Sequence, residues 1–117
     1  MAQACFLDCV YPNDYIVGVY TVILTPTFEK WFSRLKDRAI RLRLGRRIDR
    51  ASRGNLGDVK PVGNGVYEMR EFFGPGWRIY YIIKGELVLV LLCGGDKSSQ
   101  QEDIAKAQAI AATWQEE

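Results

Sequence analysis

The chain has 117 residues, 48% of them apolar and 26% charged, which suits one soluble globular domain and is too little for two independent cores. It contains no histidine, which excludes a histidine-centred triad and a histidine metal site, and its three cysteines (Cys5, Cys9, Cys93) give neither a paired framework nor a zinc spacing. The net charge of +2 conceals a division, because Glu29–Lys60 holds eleven basic residues against four acidic while the remainder holds five against ten.

In chain order, residues 1–18 lack periodicity and contain Pro-Asn-Asp, so they read as an N-terminal extension to a domain spanning 19–117. No basic region followed by a long apolar core marks them as a secretory signal. Val19–Leu24 (VYTVIL) is β-branched and aromatic and predicts a first strand. Thr25-Pro26 supplies a cap and a first-turn proline, and Phe28, Trp31, Phe32 and Leu35 follow with helical spacing. Asp37 caps a second helix whose buried stripe is Ile40, Leu44, Ile48 and Ala51, with Gly54 at its C-terminal end. Its outer face carries Arg38, Arg41, Arg46, Arg50 and Arg53, with Arg43 and Arg47 close by. Such a face is either simply solvated or a contact for phosphates or carboxylates, which guanidinium binds bidentately.

Asn55–Asn64 reads as a glycine-rich connection. Three strands follow, punctuated by Gly74-Pro75-Gly76 and by a two-residue turn at Lys84-Gly85. Alternation puts Val66, Glu68, Arg70 and Phe72 on one face of the first, and Arg78, Tyr80 and Ile82 on the corresponding face of the second. The two-residue turn pairs Ile83 with Glu86, Tyr80 with Leu89 and Arg78 with Leu91, which sets Leu89, Leu91 and Cys93 beside the arginines. The last strand is apolar on both faces and therefore central, flanked by Val19–Leu24. The longest apolar run, Leu87–Cys93, is far short of a membrane span. Ser99-Gln100-Gln101-Glu102 forms a capping box for a final helix with Ile104, Ala107, Ala111 and Trp114 as its stripe. The sum is an α+β fold ordered β-α-α-β-β-β-α, with two N-terminal helices on an antiparallel four-stranded sheet and a C-terminal helix.

No Walker or dinucleotide glycine pattern occurs. The chemistry-bearing set is Lys60, Arg70, Arg78, Tyr80 or Tyr81, Asp96 and Lys97, an aromatic-lined basic surface able to clamp a phosphodiester and stabilise developing charge without a metal or cofactor. RNA would bring its own 2′-hydroxyl nucleophile, leaving positioning, a proton acceptor and cations to the protein. Each member also has a plain structural role open to it. Glu68 and Arg70 suit a cross-strand ion pair, Tyr80 and Tyr81 core edges, and Asp96-Lys97 a turn.

The succession TPTFEKWFSRL, an arginine-rich helix, NLGDVKPVGNGVYEMRE, GPGWRIYY, LLCGGDKSSQ and DIAKA resembles the RelE/ParE toxin superfamily, and within it the HigB-like, phage-derived addiction module killer proteins, over residues 19–115. The resemblance implies the toxin of a type II toxin–antitoxin pair, neutralised by a cognate helix-turn-helix antitoxin in the cytoplasm. It further implies a ribosome-dependent endoribonuclease that cuts mRNA through 2′-hydroxyl attack without a metal. Arg70 matches the phosphate-binding arginine of the strand motif, Lys60 lies near the basic loop position, Arg78 fits the arginine of the aromatic strand, and Lys97 falls where an arginine stands in the C-terminal turn. On this reading Arg70, Arg78, Lys97 and Asp96 are catalytic, Lys60 and Tyr80 join them in holding RNA, and Arg41, Arg46 and Arg50 dock on ribosomal RNA. The chain departs from the pattern where a tyrosine is expected after that turn, with Asp103 near the position. The histidines of HigB-type members are missing too, so proton transfer is open among Asp96, Glu68 and Tyr80. ParE members poison gyrase on the same scaffold, so a partner-binding toxin and an inactive binding module remain alternatives.

Overall fold

A computed structural model describes residues 20–85 and 88–114. The expected extension at 1–18 and the start of the first strand at Val19 lie outside the described residues, and Ile83 pairs with Leu89 rather than with Glu86. The order is β1 (Thr21–Leu24), α1 (Pro26–Ser33), α2 (Arg38–Ser52), β2 (Val59–Gly63), β3 (Val66–Arg70), β4 (Trp77–Lys84), β5 (Val88–Asp96) and α3 (Gln100–Thr113), with a 3-10 turn at Lys97–Ser99 before α3. The strands form one sheet ordered β1-β5-β4-β3-β2. β1 runs parallel to β5, as a strand separated from its neighbour by most of the chain can, and the remaining pairs are antiparallel. Among the described residues no helix is long and apolar enough to cross a membrane.

Both N-terminal helices start as their sequences predict. Thr25 Oγ1 accepts from the Phe28 amide with Pro26 in the first turn, and Asp37 Oδ1 accepts from the amides of Ala39 and Ile40. Their apolar stripes pack on one sheet face, joining Phe28, Leu44 and Ala51 to Met69, Ile79, Tyr81, Leu89 and Leu91. α3 covers the other face, where Ala107 meets Val66, Tyr80, Ile82, Val90, Leu92 and Cys93. The end of β5 lies between these layers and has no room for side chains. A Cβ on Gly94 would collide with the Trp31 ring of α1, and one on Gly95 with the Asp103 carboxylate of α3.

The structure corrects four expectations. The sheet has five strands and is mixed, because Val59–Gly63, read as a connection, pairs with β3 through the tight turn Asn64-Gly65, both at positive φ. The β4–β5 register also differs. Lys84 pairs with Val88, so the connection has three residues, and this odd displacement moves Leu89 and Leu91 to the face of α1 and α2. An irregularity at Tyr80/Tyr81 then inserts Leu92, restoring the expected face beyond it, so that Tyr80 pairs with Cys93 and Arg78 with Gly95 instead of Leu91. Ser99 forms no side-chain cap; its hydroxyl donates to Asp103 Oδ2 at 2.6 Å. Finally, Arg47, read as lying close by the outer face of α2, is buried, 5% exposed.

Candidate nucleic-acid interface

Two cross-strand rows build the candidate site on the α3 side of the sheet. Lys60, Glu68, Tyr80 and Cys93 are successive register partners across β2 to β5, and Arg70, Arg78 and Gly95 form the next row. Register partners share a face, so the pairing brings Lys60, Arg70, Arg78 and Tyr80 together as the alternation predicts. The two arginines are directly opposite one another.

Their environments are unlike. Arg78 is 5% exposed, its Nε is 3.7 Å from the fully buried Glu68 carboxylate, and its Nη1 donates to the Gly76 carbonyl at 3.1 Å. Glu68 also accepts from the Tyr80 hydroxyl at 3.1 Å and from Gln100 Nε2 at 2.7 Å. The expectation of two open guanidiniums side by side is not met: Arg78 is held in an ion pair beneath the surface, and Arg70 stays partly exposed but paired with Asp58. Tyr80 is sealed with it. Burial first, then the charge and hydrogen bond of Glu68, raise its hydroxyl far above the usual tyrosine range, so it does not serve as a proton acceptor near neutral pH. Beside it, burial and then the Asp103 carboxylate push the Cys93 thiol up to about 12.

Arg70 stands at the rim with its side chain 29% exposed, Nη2 held 3.1 Å from Asp58 Oδ1. Lys60 is exposed and, one pair along on the neighbouring strand, lies on the diagonal from Arg70, about 7–8 Å away by strand geometry. Lys97 is exposed at the end of β5, where its backbone reaches the Gly74-Pro75-Gly76 turn through a bond to the Pro75 carbonyl. Gly76 has φ +84, and a Cβ there would stand 3.3 Å from Arg78 Nη1 and 3.5 Å from Lys97 Cβ, so this turn lies between the buried and open parts of the site. Asp96 is half-buried and caps the 3-10 turn, accepting from the amide and hydroxyl of Ser98.

The arginines of α2 belong to the opposite sheet face. Arg46 and Arg38 are exposed, Arg41 donates to the Leu35 carbonyl, and Arg53 pairs with Asp49. Arg43 lies 3.8 Å over the Phe73 ring, and Arg50 approaches Glu71 to 3.9 Å, so this edge of the helix meets the segment leaving β3. The helix reading overlooked Arg47. Its guanidinium donates to the carbonyls of Leu56, Asp58 and Arg70 and to Glu71 at 2.6–2.9 Å, tying the loop before β2 to the end of β3 and so fixing the base of Arg70. The spacing did carry the signal, since Arg47 stands three residues after Leu44 and four before Ala51.

The model of the phage-derived Gp49-like protein family (DUF891) matches residues 30–113. An uncharacterized protein of Haemophilus influenzae is 41% identical over 87 residues, covering 74% of this chain and 88% of that protein. Among solved structures, the toxin–antitoxin complex RelBE2 of Mycobacterium tuberculosis is similar with a TM-score of 0.57 at 23% identity, over 70% of this chain and 95% of that one. A free, arginine-substituted mutant of the Escherichia coli toxin RelE is similar with a TM-score of 0.61 at 15% identity, over 82% and 99%. At these identities the two structures share the fold with this chain, an α+β architecture of RelE type. With more than half its length under the family model, this chain belongs to the phage-derived Gp49-like family.

Proposed function

We propose that the chain is the toxin of a type II toxin–antitoxin pair, of the HigB-like branch, and acts as a ribosome-dependent mRNA interferase that needs no metal. The observation that carries this reading is the cationic rim of Lys60, Arg70 and Lys97 around a sealed polar floor on a RelE-type sheet. In the proposed reaction the 2′-oxygen bonds to the adjacent phosphorus, its proton passes to an acceptor, and the bond to the 5′-oxygen breaks as that oxygen takes up a proton. The products are a 2′,3′-cyclic phosphate and a 5′-hydroxyl. Arg70 and Lys60 hold the phosphate, Lys97 stabilises charge on its oxygens, and Asp96 is the acceptor left on the rim once Glu68 and Tyr80 are assigned to the floor. Arg78 acts from beneath by holding Glu68 and the Gly76 carbonyl. A helix-turn-helix antitoxin would silence the protein by covering the rim, and Arg41, Arg46 and Arg50 of α2 would dock on ribosomal RNA.

Reconstituted translation followed by primer extension tests this directly. Wild-type protein should truncate message only in the presence of ribosomes, and Arg70→Ala should lower the cleavage rate about 100-fold, the scale of losing one donor to a developing oxyanion. Intact message alongside arrested growth would defeat the proposal. One observation favours a second reading, a toxin that binds gyrase or another protein without cleaving RNA: the tyrosine on this face, Tyr80, is sealed from any substrate. Inhibition of gyrase supercoiling by the purified protein is predicted by that reading alone.

A further inference from the structure

Three large apolar side chains stand out among the described residues as exposed: Leu42 at 51%, Tyr67 at 36% and Phe72 at 70%. Tyr67 already stacks on Tyr81, with centroids 5.7 Å apart, and Leu42 has no aromatic face. Phe72 differs from both. It lies in the loop between β3 and β4, two residues past Arg70, whose guanidinium carbon is 5.6 Å from the ring centroid. The next residue shows what this fold does with a phenylalanine it needs for packing: Phe73 is partly buried against the core and covered by Arg43. Phe72 is far less covered: the Arg70 guanidinium approaches one side of the ring at 5.6 Å, and the residue remains 70% exposed.

We propose that Phe72 is a stacking platform for one unpaired base of single-stranded RNA, with Arg70 holding the adjoining phosphate. The inference rests on the RNA reading of the rim and adds to it a contact with a base. An exposed aromatic ring beside a partly exposed guanidinium is the combination by which proteins hold unpaired nucleotides, the ring taking the base and the cation the backbone. A ring paired with a guanidinium is matched to a polyanion that carries its own aromatic groups. The platform accepts single strands because a base within a duplex has both faces covered.

Fluorescence anisotropy with a short unstructured RNA, at low salt, tests the pairing of ring and base. Phe72→Ala should weaken binding about 10-fold, Phe72→Leu similarly, and Phe72→Trp should bind at least as well as wild type. The ring is exposed, so all three variants should melt with wild type. Replacing one nucleotide at a time by an abasic residue should find one position that weakens wild type and has no effect on Phe72→Ala. If Phe72→Ala binds RNA as wild type does while Arg70→Ala loses affinity, the stacking proposal falls, the ring is free for a protein partner, and the RNA reading stands. If Phe72→Ala is weakened but remains as sensitive to every abasic position as wild type, the ring acts other than by stacking and the proposal also falls. If wild type fails to bind and Arg70→Ala changes nothing, both readings fall together.

Discussion

Tyr80 and Cys93 are register partners whose polar atoms are buried beside carboxylates, and both resist ionisation for that reason. Burial is the larger cause in each case; Glu68 adds to it for Tyr80 and Asp103 for Cys93. The consequence for stability has a definite sign. Folding raises both pKa values, so the native state holds protons that the unfolded chain releases first, and stability falls with rising pH. The contribution is intact below the unfolded values, about 9 for the thiol and 10 for the phenol, and is lost progressively above them. Urea denaturation should therefore show a lower midpoint at about pH 10.5 than at about pH 8, and Cys93→Ala should shrink the difference. At the same scale, the site was partly legible in advance. Alternation along β3 and β4 put Arg70 and Arg78 on one face, but it says nothing about depth, and depth separates a rim cation from one locked under the Gly76 turn. Depth depends on Gln100 and Asp103 of α3, which arrive from elsewhere in the chain.

The elements themselves were legible where local chemistry decides them. Thr25, Pro26 and Asp37 fix helix starts by bonds to near neighbours, and the apolar stripes repeat at helical spacing. β2 escaped because Pro61, Gly57 and Gly63 argue against a strand, although Asn64-Gly65 between two valine-bearing segments is a strong hairpin signal. The β4–β5 register escaped because Lys84-Gly85 fits a two-residue turn as well as the start of a three-residue one. Two glycine substitutions contrast these levels. Gly45 lies inside α2 with no atom within 4 Å of where a Cβ would stand, so Gly45→Ala should stabilise the protein by about 1 kcal/mol through helix propensity alone. Gly95→Ala should instead cost about 2 kcal/mol, because the added methyl displaces Asp103. Thermal melts should move in opposite directions, and equal effects would contradict the packing described at the end of β5.

For the molecule as a whole, exposed cations gather on two surfaces, the outer face of α2 and the rim of the sheet opposite. They predict different responses to salt. If RNA is held by Lys60, Arg70 and Lys97 alone, the logarithm of affinity should fall against the logarithm of salt concentration with a slope of about −2, near 0.7 per neutralised phosphate. A much steeper slope that Arg46→Ala relieves would bring α2 into the same footprint.

The margin of the sheet at β2 sets one more limit on how this protein meets others. Pro61 deprives that outermost strand of an amide, and the adjacent Lys60 carries a charge into solvent. Neighbouring copies thus find no continuous ladder to extend into ribbons, a safeguard against fibre-like association. Any molecule approaching from that flank must grip charged tips, since it cannot zip its own backbone onto this one.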